Sequence, residues 1–446
     1  MAGAFAQAGS KVFEREKWSS RCAEALSCLK PNWSCHDSSC PRRDRPMSES
    51  GAGLGPVVLS LGGVETPVDR EVFSALFESS VVATYAGVRN ALNGSPLPFQ
   101  EFLKLATQAE IPYPLFFAPL PVVRAQLHMK TQKLMSGFTK AHFSMHSRQR
   151  VELRDVELIV KDLLRKQELL RRFDKSLVDN QIVGIIRGSK RGLEQDAEIV
   201  RAALGLGPHD TRNARTKAAA VELLIRKLES RQVFVARSSQ HYMPQEMPHH
   251  AKFSGMTIRD KKVPFIFLAS GNEGEQLEPD GRKLFTLTLL TVLIARGTFA
   301  PVNYDGHTTD ATSPREYELT AEILLPAADM RNLAFGDLDD IRSVAETFRV
   351  TPSAVAMRVW RLNLISRTTF ENHMDTLRDE YARREKPRLS SPLAVNALRK
   401  YNGVECSRRM LAMMDAGQIS RADFRRIVCL NKISAAEIGD FRRSLG

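Results

Sequence analysis

Zinc chemistry is the first chemistry this sequence invites, because its histidines, cysteines and carboxylates gather in a few places. Cys22, Cys28, Cys35 and Cys40 lie beside His36 near the N-terminus. Only the Cys35 and Cys40 pair comes near the spacing of roughly two to four residues that zinc modules use. His142 and His146 stand at i and i+4, yet HFSMH has no Glu after the first His to act as general base. His249 and His250 precede a strand-like stretch, and Asp305, His307 and Asp310 share one loop-like stretch. A site rebuilt from Asp305, His307 and a carboxylate such as Glu316 is therefore a candidate. The LGLG at 204–207 lacks the further glycine and the Lys-Ser/Thr of a phosphate loop. No Ser/His/Asp or Cys/His arrangement stands at a recognisable spacing.

The elements that would position such residues are mainly helical. Order is expected to begin near Val68, and from there Val72, Ala75, Leu76, Val81, Val82, Val88, Ala91 and Leu92 recur at roughly helical spacing, then NGSPLP at 93–98 signals a turn. FQEFLKLATQAE is a second helix, stopped at Ile111-Pro112. From about 122 to 206 the period is again helical, and Leu153, Val156, Ile159, Val160, Leu163, Leu164 and Leu170 form one stripe. TKAAAVELLIRKLE at 216–229 precedes RQVFVAR and TIRDKKVPFIFLAS, whose central DKK predicts a hairpin. In GRKLFTLTLLTVLIARG at 281–297 only Thr interrupts the apolar run from Leu284 to Ala295. That run is short of the ~20 residues a bilayer span needs, so it reads as a buried helix. Residues 298–312 read as a loop, and SPRE at 313–316 as a capping box opening the next helix. IRSVAETFRVTPSAVAMRVWRLNLIS reads as helix, turn, helix, and residues 348–365 can also be read as a DNA-reading helix-turn-helix with Arg358 and Arg361 exposed; everything beyond Thr368 reads as helical and basic.

Composition bounds the rest. A hydrophobic share of 43% with 26% charged residues fits a folded globular chain of two to three domains. A net charge of +13 favours a polyanionic partner. Residues 120–192 hold sixteen Lys and Arg against seven Asp and Glu, and residues 381–446 fourteen against six. The first 66 residues are rich in Ser, Gly and Pro and read as a flexible lead-in, with Met47 an alternative start. The N-terminus lacks the apolar run of a secretory signal, so a cytoplasmic protein with reduced thiols is expected.

Taken together, hairpin, apolar helix, loop, capped helix and helix-turn-helix resemble the ImmA/IrrE family of metallopeptidases. The resemblance rests on Phe253-Ser254-Gly255 with Val263-Pro264-Phe265-Ile266, on Arg282 with Phe285-Thr286-Leu287, and on Ala321-Glu322 with Leu324-Leu325-Pro326. It extends from roughly 216 to the C-terminus. The family binds zinc through HExxH, whose two His share a helix face and whose Glu activates the bound water. Aligned on FTL, those slots are Leu289, Leu290 and Leu293, which neither bind metal nor move protons. The third ligand falls near 313–316, where only Glu316 offers a carboxylate. The resemblance thus implies a zincin-like scaffold that has lost its chemistry.

A second resemblance covers the N-terminal part. Tyr85, Asn93-Gly94, Pro98, Phe102, Leu105-Ala106, Ile111-Pro112 and Leu115-Phe116-Phe117 resemble the end of an XRE-type helix-turn-helix. The recognition helix then lies within 79–92, where Arg89 and Asn90 are the base-reading side chains. Arg165, Arg171 and Arg172 of the basic stretch are further nucleic-acid candidates.

The expected architecture is α+β and mostly helical. It comprises a flexible segment (1–66), a helix-turn-helix remnant (67–121), a basic helical linker (122–215), a pseudo-metallopeptidase domain with a small β-sheet (216–367) and a basic helical tail (368–446). The expected function is non-catalytic and regulatory: binding DNA, a repressor-like protein, or both, with no cofactor and no membrane. The alternative is a zinc-dependent metalloendopeptidase with relocated ligands that cleaves a regulator.

Overall fold

A computed structural model describes residues 55–139, 143–145, 152–239, 241–247, 253–269, 278–304, 314–383 and 392–446. The chain begins with a β-hairpin, β1 (Val57–Leu61) and β2 (Val64–Val68). Gly62 and Gly63 join the strands with φ of 58° and 84°, the conformation a tight two-residue hairpin turn requires. Strand structure therefore starts at Val57, ahead of the start of order expected near Val68. The Gly-rich surroundings had masked the alternation of Val57 and Leu59, both buried.

Three helices follow: α1 (Arg70–Glu78), α2 (Ala86–Leu92) and, after the short β3 (Leu97–Pro98), α3 (Phe99–Gln108). Asp69 caps α1 by accepting hydrogen bonds from Glu71 N and Val72 N. β3 runs parallel to β1, giving the order β2-β1-β3. Phe73, Phe77, Phe102 and Phe116 pack at ring separations of 4.6 to 6.3 Å and form the centre of this module. A helix of sixteen residues, α4 (Leu120–Met135), follows, and its Val123 is buried in the same core.

The second sheet has five strands. In chain order the elements are β4 (Phe143–Met145), α5 (Glu157–Phe173), α6 (Leu193–Leu204), α7 (Lys217–Ser230), β5 (Phe234–Arg237), β6 (Phe253–Ile258), β7 (Phe265–Leu268), α8 (Asp280–Ala295), β8 (Pro301–Tyr304) and α9 (Arg315–Leu324). Then come α10 (Ala327–Arg331), α11 (Leu338–Thr347), α12 (Pro352–Arg361), α13 (Arg367–Arg383), α14 (Ala394–Asn402), α15 (Val404–Asp415), α16 (Arg421–Ile427) and α17 (Ile438–Ser444). The strand order is β4-β8-β6-β7-β5; β6 is antiparallel to both its neighbours, and β4 with β8 and β5 with β7 are parallel. The fold is α+β and mostly helical.

Both faces of this sheet are covered, which is why its strands read as unbroken apolar runs. Phe234, Ala236, Met256, Phe265 and Phe267 point to a core shared with α5 and α14 to α17. Val235, Ile266 and Leu268 point the other way, to a core shared with α7, α8, α9, α11 and α12. The DKK turn forms as expected: Asp260 Oδ1 accepts from Lys262 N at 2.7 Å and Val263 N at 2.9 Å. The stripe on α5 is buried at Val156, Ile159, Val160, Leu163 and Leu170.

Two expectations are corrected. Residues 301–304, read as loop, form β8 and pair with β6; the strand is four residues long, opens on a proline, and is held by partners distant in sequence. α9 starts at Arg315 with Pro314 in the N-cap position, one residue later than SPRE implies; Ser313, the expected cap, lies outside the described residues.

Candidate functional site

The apolar stretch is α8, and it lies between the sheet and the helices that follow it. Leu289 is 2% exposed, and Leu290 and Leu293 are fully buried. Gly255 of β6 allows the approach: a Cβ there would stand 3.0 Å from Leu290 Cδ1 and 2.4 Å from Phe267 O. At the other end, a Cβ on Gly281 would stand 2.6 Å from Val350 C and 2.9 Å from Thr351 N. The first turn of α8 therefore docks on the backbone between α11 and α12. The threonines that interrupt the apolar run are accommodated, since Thr288 and Thr291 donate to Leu284 O and Leu287 O at 2.8 Å.

Leu289, Leu290 and Leu293 themselves offer zinc no ligand. The three slots that the resemblance assigns to ligands and base are closed apolar packing. Glu316, the remaining ligand candidate on α9, forms an ion pair with Arg296, 2.8 Å from its Nε, beyond the C-terminal end of α8. His307, Asp305, Asp310, His249, His250, His142, His146, His36 and the four N-terminal cysteines lie outside the described residues. Among the described residues, no group of three metal-ligating side chains is assembled. Cys406 and Cys429 are free and buried, and burial pushes both thiols up to about 12.

The carboxylates of α9 instead bind arginines of the chain itself. Arg358, read as exposed, is 3% exposed; it donates from Nε to Leu325 O at 3.0 Å, pairs with Glu322, and lies 3.7 Å from Glu318. Arg361 pairs with Glu318 and keeps 14% of its side-chain surface. Glu322 Oε1 also accepts from Ala327 N at 3.2 Å, holding the start of α10. The Ala321-Glu322 and Leu324-Leu325-Pro326 pattern is thus a bracket between α9, α10 and α12. Both arginines were candidates for reading DNA, and both are engaged internally because buried carboxylates demand counter-charges.

The other nucleic-acid candidates divide. Arg89 and Asn90 are exposed on α2. A carboxylate stands close to that helix, since a Cβ on Gly87 would lie 2.5 Å from Glu101 Oε1. Residues 55–121 carry three Lys and Arg against six Asp and Glu, so the module holding the expected recognition helix is net acidic. Arg165 stands 3.6 Å from Glu110, which Lys161 approaches to 2.6 Å. Burial alone would raise the Glu110 carboxyl; the Lys161 and Arg165 charges override it and hold it below the usual range. Arg171 is 3.2 Å from Asp260. Arg172 lies 5.0 Å from the centre of the Phe173 ring.

Two polar clusters escaped the sequence reading. Lys166, fully buried on α5, is 2.5 Å from Asp162 Oδ2, to which Tyr401 OH also donates at 2.7 Å. The signal was present, since Asp162 and Lys166 sit at i and i+4 within the same apolar stripe as Leu163 and Leu170. The second cluster joins α7 to α15. Glu229 Oε2 accepts from Glu405 N at 3.2 Å in the first turn of α15. Gly403, at φ 79°, leaves the space: a Cβ there would stand 2.5 Å from Glu229 Oε1 and 2.8 Å from Val235 O.

Burial pushes the Glu229 carboxyl up to about 7 from 4.5, with the Glu405 N–H bond opposing. The folded chain then holds a proton that the unfolded chain releases above about 4.5, so this group's stabilisation is complete below that pH. It is lost as pH rises to about 7, and amounts to about 3 kcal/mol. Glu229→Gln should match the parent in thermal unfolding at pH 4.5 and exceed it at pH 8. Melting curves that stay parallel across that window would refute the assignment.

Comparison with known proteins returns no match: no family model, curated protein or solved structure matches the chain. Among the described residues, no helix is long and apolar enough to cross a membrane.

Proposed function

We propose that this chain is a non-catalytic regulatory protein built on an ImmA/IrrE-like scaffold, acting by binding a repressor-type protein. In this reading, β5 to β7 with α8 and α9 form a pseudo-metallopeptidase domain, and residues 55–121 descend from an XRE-type helix-turn-helix. The observation that carries it is α8 itself, whose Leu289, Leu290 and Leu293 are packed shut where the resemblance calls for two ligands and a base. Internal pairing of Arg358 and Arg361 and the acidic balance of residues 55–121 favour a protein partner over sequence-specific DNA reading by either helical pair.

The first test is metal content of protein purified without chelator, by plasma mass spectrometry. The expected result is no stoichiometric zinc and no peptidase activity. About one zinc per chain, lost together with a proteolytic activity in His307→Ala, would replace this reading with the metallopeptidase alternative. Failure to bind any protein in a pull-down would leave the regulatory reading without support.

A further inference from the structure

With the net charge of +13, the chain carries thirteen more cations than carboxylates, yet much of its basic surface is already matched. On α5, Lys161 and Arg165 face Glu110, Lys166 faces Asp162, and Arg171 faces Asp260. In the C-terminal helices, Arg409 pairs with Asp174 and Glu405, Arg426 with Asp423, Arg442 with Asp415 and Arg443 with Asp440. The two basic segments that stand out in the sequence therefore hold the protein together along much of their length.

One basic loop is different. Residues 187–192, RGSKRG, expose Arg187, Lys190 and Arg191, and none of these side chains has an ion-pair partner among the described residues. The loop is fixed to the end of α8, since Gly184 N and Ile186 N donate to Ile294 O and Ala295 O at 3.0 Å. Those bonds satisfy carbonyls that the end of a helix leaves open. Arg187 lies over the bare backbone of Gly297, where a Cβ would stand 2.5 Å from its guanidinium. Gly188, at φ 65°, turns the chain. The nearby carboxylates face inward: fully buried Asp196 accepts from Ser189 Oγ at 2.7 Å and from Arg315 Nη2 at 2.9 Å, while Glu316 takes Arg296. Arg315 also donates to Arg191 O. Arg296 Nη1 and Arg315 Nε are buried without an acceptor, while Glu316 and Asp196 match the two charges one for one, so no carboxylate of this pair of bridges is left over for the loop cations. Exposed Glu194 and Glu198 belong to α6, the next element.

We propose that loop 187–192, backed by Arg296 and Arg315, is a contact surface for the phosphodiester backbone of a nucleic acid. Three cations on a backbone already held in place lose little freedom on contacting phosphates, and phosphate contacts position without reading sequence. This surface is separate from α2 and does not depend on the repressor-binding reading, so either can fail alone.

The test is fluorescence anisotropy of a labelled random-sequence duplex DNA, and of an RNA of equal length, titrated with the full chain at several salt concentrations. For duplex DNA, each phosphate neutralised contributes about 0.9 to the slope of log affinity against log salt. The variant Arg187→Ala/Lys190→Ala/Arg191→Ala should lower that slope by about 3 and weaken binding roughly 10²- to 10³-fold at low salt. Its melting temperature should match the parent's, because these side chains are exposed. Arg89→Ala should bind like the parent. A salt slope of the triple variant equal to the parent's, loss of binding in Arg89→Ala alone, or no binding of either nucleic acid by the parent at low salt would each overturn the proposal. Comparison of the two probes identifies which nucleic acid the surface prefers.

Discussion

Arg358→Ala is expected to lower the unfolding free energy by about 3–5 kcal/mol, the cost of removing one partner from a buried ion pair. Glu322 would remain 7% exposed without its counter-charge, and Glu318 would keep only Arg361. Since domains are stable by roughly 5–15 kcal/mol, the variant should show a large drop in urea midpoint. Joint replacement, Arg358→Met with Glu322→Leu, should recover most of the loss, because an apolar pair of similar volume leaves no uncompensated charge. An exposed control, Arg367→Ala, removes a surface pair with Glu371 and should change stability by less than about 1 kcal/mol. Equal effects of Arg358→Ala and Arg367→Ala would show that the bracket between α9 and α12 is not buried as described.

The second large effect is expected on α8. Leu290→Glu places a carboxyl against Gly255 within the apolar core, and should cost about 5 kcal/mol or more at neutral pH. Leu290→Met keeps volume and polarity and should cost less than about 1.5 kcal/mol. Installing an HExxH motif, Leu289→His with Leu290→Glu and Leu293→His, should give an unfolded or aggregated chain rather than a zinc enzyme. A soluble, folded triple variant holding one zinc per chain would mean that an open cleft lies where closed packing is described.

Much of the fold was legible because the signals are local. The α5 stripe, the DKK hairpin and the apolar α8 each declare themselves within about twenty residues. β8 did not, because four residues opening on Pro301 have no period, and their pairing with β6 is decided across the chain. The hairpin at Val57 was hidden by the glycines around it, although Gly62-Gly63 is itself the turn signal. For the candidate site, the absence of zinc ligands at Leu289, Leu290 and Leu293 was readable from those residues alone. The fate of the arginines was not: Arg358 looks like any helical surface cation until Glu322 is placed beside it. Charge counts along the sequence likewise identify basic segments without revealing that Glu110 and Asp260 already meet the cations of α5.

The bond between Tyr401 and Asp162 has a consequence for synthesis. Its partners are 239 residues apart, and one face of the five-stranded sheet is closed by helices that follow Tyr401. Translation at roughly 5–20 residues per second separates the two side chains by about 12–48 s. During that interval α5 has left the ribosome with its apolar stripe and the Asp162–Lys166 pair still uncovered. The emerging polypeptide is therefore at its most aggregation-prone, and most in need of a chaperone, until the last helices appear.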